Sequence, residues 1–328
     1  MVKTSYILCC DWGTSTFRLY LVHVETRQTV GMISNQDGIA VLHRRWVELG
    51  ADNNRTKEDY YVDYLIRQAL KLVRQQAIDH QGLKVLISGM ASSTLGFRLL
   101  DYAVVPFPID GYQVVIETIN PKNYGFEIYL ISGVKDGLEV VRGEEVQLIG
   151  LADLRPDLFS NSTLCILPGT HAKHVQIAQQ KIQGFKTYMT GEVFQLLVDA
   201  SILKDVIQKN NQPWSASEKA TFLSGVQCAS EKNFFHQLFQ VRTQALAGNV
   251  TPTDNYYYLS GICIGYELKD LPTGKDSQIV LCANEALFPL YKEAIKSLGL
   301  AALTVFIEPE ISAKLAIYGQ LKLLNYVS

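Results

Sequence analysis

Apolar residues fall in short uninterrupted runs at Tyr6–Cys10, Val85–Ile87, Ile128–Ile131, Leu164–Leu167 and Ile279–Cys282. Such runs are the pattern of strands covered on both faces. After the first run and the segment Asp11-Trp12-Gly13-Thr14-Ser15-Thr16, the residues Phe17, Leu19 and Leu21 alternate with Arg18, Tyr20 and Val22. The chain is therefore expected to turn back as a second strand, with a third over Thr29–Ser34. Between Glu58 and Gln75, Val62, Leu65, Ile66, Ala69, Leu70 and Val73 recur at helical spacing. Further helices are expected from Arg142-Gly143-Glu144-Glu145 through Leu151, from Thr190 as N-cap, through the segments up to Ala247, over Tyr256–Leu268, from Ala283 onward and over Ile311–Leu324, with a late strand at Leu303–Ile307.

The opening pattern recurs in the second half. Leu164–Leu167 leads into Pro168-Gly169-Thr170-His171 and a returning strand over Lys173–Ile177, so Gly169-Thr170 precedes Lys173 as Gly13-Thr14 precedes Arg18. A chain of 328 residues suggests two domains. The segment Asp153–Ser162, with Pro156, is read as the hinge, which divides the chain into lobes 1–155 and 156–328. The last helix is expected to pack back on the first lobe. Each lobe is expected to hold a mixed five-stranded sheet, with a ligand cleft between them.

Hydrophobic residues at 48% and charged ones at 19% are enough for two cores. A net charge of −2 argues against a nucleic-acid binder. No apolar run approaches the ~20 residues of a membrane helix, and Met1–Ser5 is too short for a signal peptide. The six cysteines, two of them adjacent at Cys9 and Cys10, form no C-x-x-C pair and are read as reduced core thiols of a cytoplasmic protein. In that setting the sequons at Asn54, Asn161 and Asn249 carry no meaning.

The two turns carry the most chemistry. Glycine lets a tight turn bring backbone N–H groups to a ligand, and consecutive N–H groups form an anion-binding concavity. Thr14 and Thr170 add hydroxyl donors. Asp11 supplies a carboxylate suited to Mg²⁺ through water. The small-residue loop Ser88-Gly89-Met90-Ala91-Ser92-Ser93 follows a strand at the edge where open α/β sheets bind ligands. Neither G-x-x-x-x-G-K-[ST] nor G-x-G-x-x-G after a strand occurs.

These residues carry a resemblance. Asp11-Trp12-Gly13-Thr14…Arg18, Arg142–Gly150, Pro168-Gly169-Thr170-His171-Ala172-Lys173, Met189-Thr190-Gly191-Glu192, Phe222-Leu223-Ser224-Gly225 and Leu259–Gly265 resemble, in order, the 2-dehydro-3-deoxygalactonokinase family. The resemblance implies an α/β fold of two actin-like (RNase-H-like) lobes. It also implies ATP-dependent phosphorylation of the 6-hydroxyl of 2-dehydro-3-deoxy-D-galactonate in galactonate catabolism, with Mg²⁺. Other readings on the same fold are a non-catalytic sugar-acid sensor or another actin-like ATPase; a DNA-binding regulator has no room before the strand at Tyr6.

The family resemblance assigns roles. Related sugar kinases place Gly-Asp where Gly143-Glu144 stands, and that acid serves as base, so Glu144 is the expected base and Glu145 the reserve. Gly13, Thr14, Ser15, Arg18, Gly169, Thr170 and Lys173 would hold phosphate. Gly89, Met90, Ser92 and Ser93 resemble a sugar loop, and Arg98 and Arg142 are candidates for the substrate carboxylate, which arginine binds with two prongs. His171 beside Thr170 is left with or without a role. Ala283 and Asn284 would meet adenosine, with alanine where the family usually has glycine. The expected partner is a small-molecule sugar acid, not nucleic acid or membrane, for a monomer or homodimer.

Overall fold

A computed structural model describes residues 5–50, 56–121, 124–209, 214–231, 233–248, 250–272 and 278–327. The sequons at Asn54 and Asn249 lie outside the described residues. The chain divides into two compact units: residues 1–160, 178–184 and 314–328 form the first, and residues 161–177 and 185–313 the second.

In the first unit, β1 (Tyr6–Trp12), β2 (Phe17–His23) and β3 (Thr29–Asn35) form an antiparallel meander, followed by α1 (Ile39–Glu48), α2 (Lys57–Gln75) and β4 (Leu83–Gly89). The sheet is completed by β7 (Ile116–Ile119) and β8 (Phe126–Ile131), giving the order β3-β2-β1-β4-β8-β7. It therefore has six strands rather than the expected five, because β7 adds antiparallel to β8. A side sheet joins β5 (Ala103–Val104), β9 (Val134–Asp136) and β10 (Glu139–Val141), while β6 (Phe107–Pro108) lies apart from it.

The continuous apolar run of β1 has a simple cause. Leu8, Cys10 and Trp12 face the core filled by α2, whereas Ile7 and Cys9 face Ile317 and Leu321 near the chain's end. Both faces are thus covered and no polar alternation is possible. The α2 stripe of Tyr61, Leu65, Ile66, Ala69, Leu72 and Val73 fills the first face, and a capping box of Thr56 and Asp59 starts the helix. The α1 helix buries only Ile39 and Leu42, too few positions to leave a periodic signal in the sequence.

The helix α3 (Glu144–Leu154) is followed by the second unit. There β11 (Thr163–Leu167), β12 (Ala172–Ala178) and β13 (Lys181–Tyr188) precede α4 (Thr190–Ala200), α5 (Ala216–Glu231), α6 (Phe234–Leu246) and α7 (Pro252–Leu268). The strands β14 (Gln278–Cys282) and β15 (Thr304–Ile307) flank α8 (Phe288–Ser297). The strands run in the order β6-β13-β12-β11-β14-β15, again six rather than the expected five because β6 adds on to β13, with β11, β14 and β15 parallel. From β13 to β15 this repeats the order β3-β2-β1-β4-β8. The tip of the β12–β13 hairpin belongs to the first unit, where Lys181 and Ile182 pair with Pro108 and Phe107.

Three expectations are corrected. Met189, not Thr190, is the N-cap of α4, and Thr190 is its first helical residue. The helix after Ala283 begins at Phe288, because Asn284 Oδ1 accepts from Leu287 N and holds a turn there. The terminal helix is broken into α9 (Pro309–Ser312) and α10 (Leu315–Leu323). The break falls where the chain leaves the second unit for the first. In the first unit α10 lies against α3 with almost no gap: a Cβ on Gly319 would stand 1.9 Å from the Val146 carbonyl oxygen.

No helix among the described residues is long and apolar enough to cross a membrane. All six cysteines are buried and free.

Candidate active site

Three sequence motifs converge in the first unit. At the end of β1, Asp11 pairs with Arg18 across the hairpin and accepts a hydrogen bond from its Nη1 at 2.9 Å. Burial pushes the Asp11 carboxyl up, and the Arg18 guanidinium opposes that shift. Trp12 is a core anchor, not a ligand contact. Its ring packs on Phe17, Tyr61, Tyr64 and Phe97, and its Nε1 donates to the Asp37 carbonyl. Gly13 N donates to the Thr16 carbonyl and closes the turn. Thr14 and Ser15 are exposed at its tip.

The second motif is the loop after β4. Gly89 adopts φ +93°, and a Cβ there would meet the Trp12 carbonyl oxygen at 2.7 Å. Only glycine suits both demands. Ser92 is fully buried, and Ser93 Oγ donates to the Met90 carbonyl. The third motif is the start of α3. Gly143, at φ +113°, faces Gly89: a Cβ on Gly143 would lie 3.3 Å from the Gly89 Cα.

The arginine and the two glutamates divide their roles by environment. Arg142 Nη1 donates to Ser92 Oγ at 2.5 Å and to the Ser92 carbonyl, and its guanidinium stacks on Tyr102 at 4.2 Å. Its Nη2 is buried without a hydrogen-bond partner among the described residues. Glu144, half-buried, accepts from Arg142 N at 3.0 Å. Glu145 is fully buried, and both of its oxygens accept from Gly143 N, at 2.9 and 2.8 Å. Burial, then the neighbouring Glu144 charge, push the Glu145 carboxyl up to about 8, against the pull of backbone donors and Arg142. Arg98 lies elsewhere in its bonding: Nε and Nη2 grip Glu58 and Nη1 grips Glu117, which occupies its fork.

In the second unit, the turn between β11 and β12 has open space in front of Gly169, and Thr170 is exposed. Lys173 is buried, and its Nζ donates to the His171 carbonyl at 3.2 Å. His171 Nε2 lies 2.5 Å from Glu192 Oε2. Ala283 is buried in the core beside Leu281 and Phe288, so its methyl is core packing, while Asn284 is exposed. The Phe222–Gly225 and Leu259–Gly265 segments are also structural. They lie on α5 and α7, where a Cβ on Gly261 would stand 2.1 Å from the Phe222 carbonyl oxygen.

A correspondence between the two turns is invisible in the sequence motifs. Each turn is pressed by the start of the helix that follows the third strand. A Cβ on Gly38 would lie 2.3 Å from the Thr14 carbonyl oxygen, and one on Gly191 would lie 2.4 Å from that of Gly169. Ala40 N donates to the Thr14 carbonyl and Glu192 N to the Thr170 carbonyl. Gly38 carried no signal of its own, since it precedes a helix that the periodicity does not reveal.

Two units with the same strand order, each bearing a helix-braced glycine turn at the end of its first strand, define an actin-like α/β protein. The 2-keto-3-deoxy-galactonokinase family profile matches residues 11–316, and the chain belongs to that family. A candidate 2-dehydro-3-deoxygalactonokinase of Rhizobium meliloti strain 1021 is 28% identical over 327 residues, covering 96% of this chain and 97% of its own. The 2-dehydro-3-deoxygalactonokinase of Escherichia coli K12 is 31% identical over 312 residues, covering 90% and 91%. The crystal structure of a candidate 2-dehydro-3-deoxygalactonokinase from Sinorhizobium meliloti has the same fold, with a TM-score of 0.74 at 23% identity and 98% of each chain covered.

Proposed function

We propose that the protein transfers the terminal phosphoryl group of ATP to the 6-hydroxyl of 2-dehydro-3-deoxy-D-galactonate, in the cytoplasm. Family membership supports the activity. The observation that carries the site assignment is the contact of Gly143 with Gly89, which sets the start of α3 beside the Ser92 loop.

A sugar hydroxyl is a weak nucleophile, and its attack on phosphorus is helped by a carboxylate that accepts its proton. Glu144 is the base: it is half-buried and reachable, and its Arg142 N bond fixes its direction. Glu145 is the structural partner, because full burial disfavours its charged form. Arg142 holds the substrate carboxylate. Its Nη1 is anchored on Ser92, and the unpartnered Nη2 is the donor left for an incoming acid. Gly89, Met90, Ser92 and Ser93 shape the sugar site.

Bound ATP supplies the phosphoryl group, and Mg²⁺ neutralises its charge. The residues fit such a ligand. Thr14 and Ser15 in the first turn and Thr170 in the second are exposed and Gly169 has open space before it, while Gly13 is half-buried; the exposed Asn284 is the proposed contact for adenosine, with Ala283 packed in the core behind it. Asp11 is the carboxylate of the first turn that would hold Mg²⁺ through water.

The test is ADP release over a series of 2-keto-3-deoxy acids and simple aldonates. Turnover is expected to depend strictly on the galactonate derivative. ATP consumption independent of added acid would instead indicate an ATPase, and binding without turnover a sensor.

A further inference from the structure

Resting on the reading that a nucleoside triphosphate occupies the second turn, we propose that His171, held by Glu192, is the cationic phosphate donor there, in place of Lys173. Lys173 is the residue that the sequence points to, since it follows the turn as Arg18 follows the first. Yet its side chain is buried, and its Nζ donates to the His171 carbonyl, so it braces the turn from within. His171 projects from the same turn with its ring about half exposed. Thr170, its neighbour, is exposed as well.

Glu192 is tied to this turn twice. Its backbone N donates to the Thr170 carbonyl, and its Oε2 meets His171 Nε2 at 2.5 Å. The preceding Gly191 makes the approach possible. With Nε2–H directed to the carboxylate, Nδ1 is the ring nitrogen left for a ligand. A neutral imidazole would offer only a lone pair there, which repels phosphate. A doubly protonated ring donates from both nitrogens. The pair is then neutral overall, but it points an N–H at the ligand and keeps the acid behind it. Glu192 is thus a positioning residue, and His171 the group that meets phosphate.

The experiment is calorimetric titration of the Mg²⁺ complexes of ATP and ADP, and of AMP, into the wild-type protein, His171→Gln, Glu192→Gln and Thr170→Val. Thermal melts confirm folding, which substitutions at these exposed or half-buried positions should not disturb. A charge-assisted hydrogen bond to phosphate predicts that His171→Gln weakens ATP by about 10–100-fold. Glu192→Gln should weaken it in the same direction, with AMP affinity unchanged in both. ATP affinity within two-fold of wild type in His171→Gln, while Thr170→Val binds more weakly, would overturn the proposal and keep the turn as a phosphate site. Unchanged ATP affinity in Thr170→Val as well would remove the turn from the nucleotide site altogether. Equal weakening of ATP and AMP would mark the pair as a structural prop and likewise overturn the proposal.

Discussion

Gly143 packs closely against Gly89, and Gly89 in turn packs against the Trp12 carbonyl. Both glycines have positive φ, and a Cβ on Gly143 would stand 3.3 Å from the Gly89 Cα. The loop after β4 and the start of α3 are therefore in close contact. Gly143→Ala places a β-carbon at φ +113°, a strain of about 1–3 kcal/mol, and displaces the two glutamates that follow. We expect kcat to fall at least tenfold, with circular dichroism unchanged. Wild-type turnover in that variant would show that the contact does not govern the site.

Glu144→Gln keeps shape and removes proton-accepting strength. General-base catalysis is worth ~10²–10⁴-fold, so kcat should fall by about that factor while KM for the sugar acid moves much less. Glu145→Gln should be milder in steady-state kinetics. The reverse order would exchange their roles, and two active variants would direct attention to Asp11.

Glu145 also makes a prediction about stability. Its carboxyl is raised from 4.5 to about 8 in the folded protein. As pH rises from 4.5 to 8 the unfolded chain gives up this proton while the folded one keeps it. Its contribution to stability is therefore full below 4.5, declines through that window, and levels off above 8. Glu145→Gln removes this dependence. Denaturant unfolding at pH 5, 7 and 9 should show the variant gaining on wild type as pH rises, and a constant difference across the three would refute the shift.

Arg142 anchors on Ser92 and stacks on Tyr102 through a planar guanidinium. Lysine keeps the charge but loses the fork and the stack. Arg142→Lys should raise KM for the sugar acid by about 10–100-fold and leave KM for ATP within two-fold. Arg98→Lys, whose arginine is bound to Glu58 and Glu117, should alter melting temperature more than either KM. Equal effects of both variants on the sugar acid would mean that Arg98 also reaches it.

The positions of strands and helix-bearing segments were legible where burial leaves a period: β1 with both faces covered, β2 with Phe17, Leu19 and Leu21 inward, α2 with its single stripe. The turns at Gly13 and Gly169 and the acidic start of α3 were legible as motifs. Other features were not. The α1 helix has two buried residues, and the side sheet is built from strands of two or three residues, too short for any period. That Lys173 turns inward while His171 stays exposed depends on α4 bracing the turn, a long-range contact with no local trace. Arg98 and Arg142 likewise read alike as arginines near loops, and only their partners separate them.

The final helix gives the order of synthesis a physical meaning. Gln320 is fully buried, and its Nε2 donates both to the Cys10 carbonyl and to Ser88 Oγ, one residue before Asp11 and one before Gly89. The first of these bonds spans 310 positions, which a ribosome working at ~5–20 residues per second needs roughly 15–60 s to traverse. Throughout that time the strand ends that carry the site lack their last support. A chain interrupted before Gln320 therefore leaves the ends of β1 and β4 without these two hydrogen bonds.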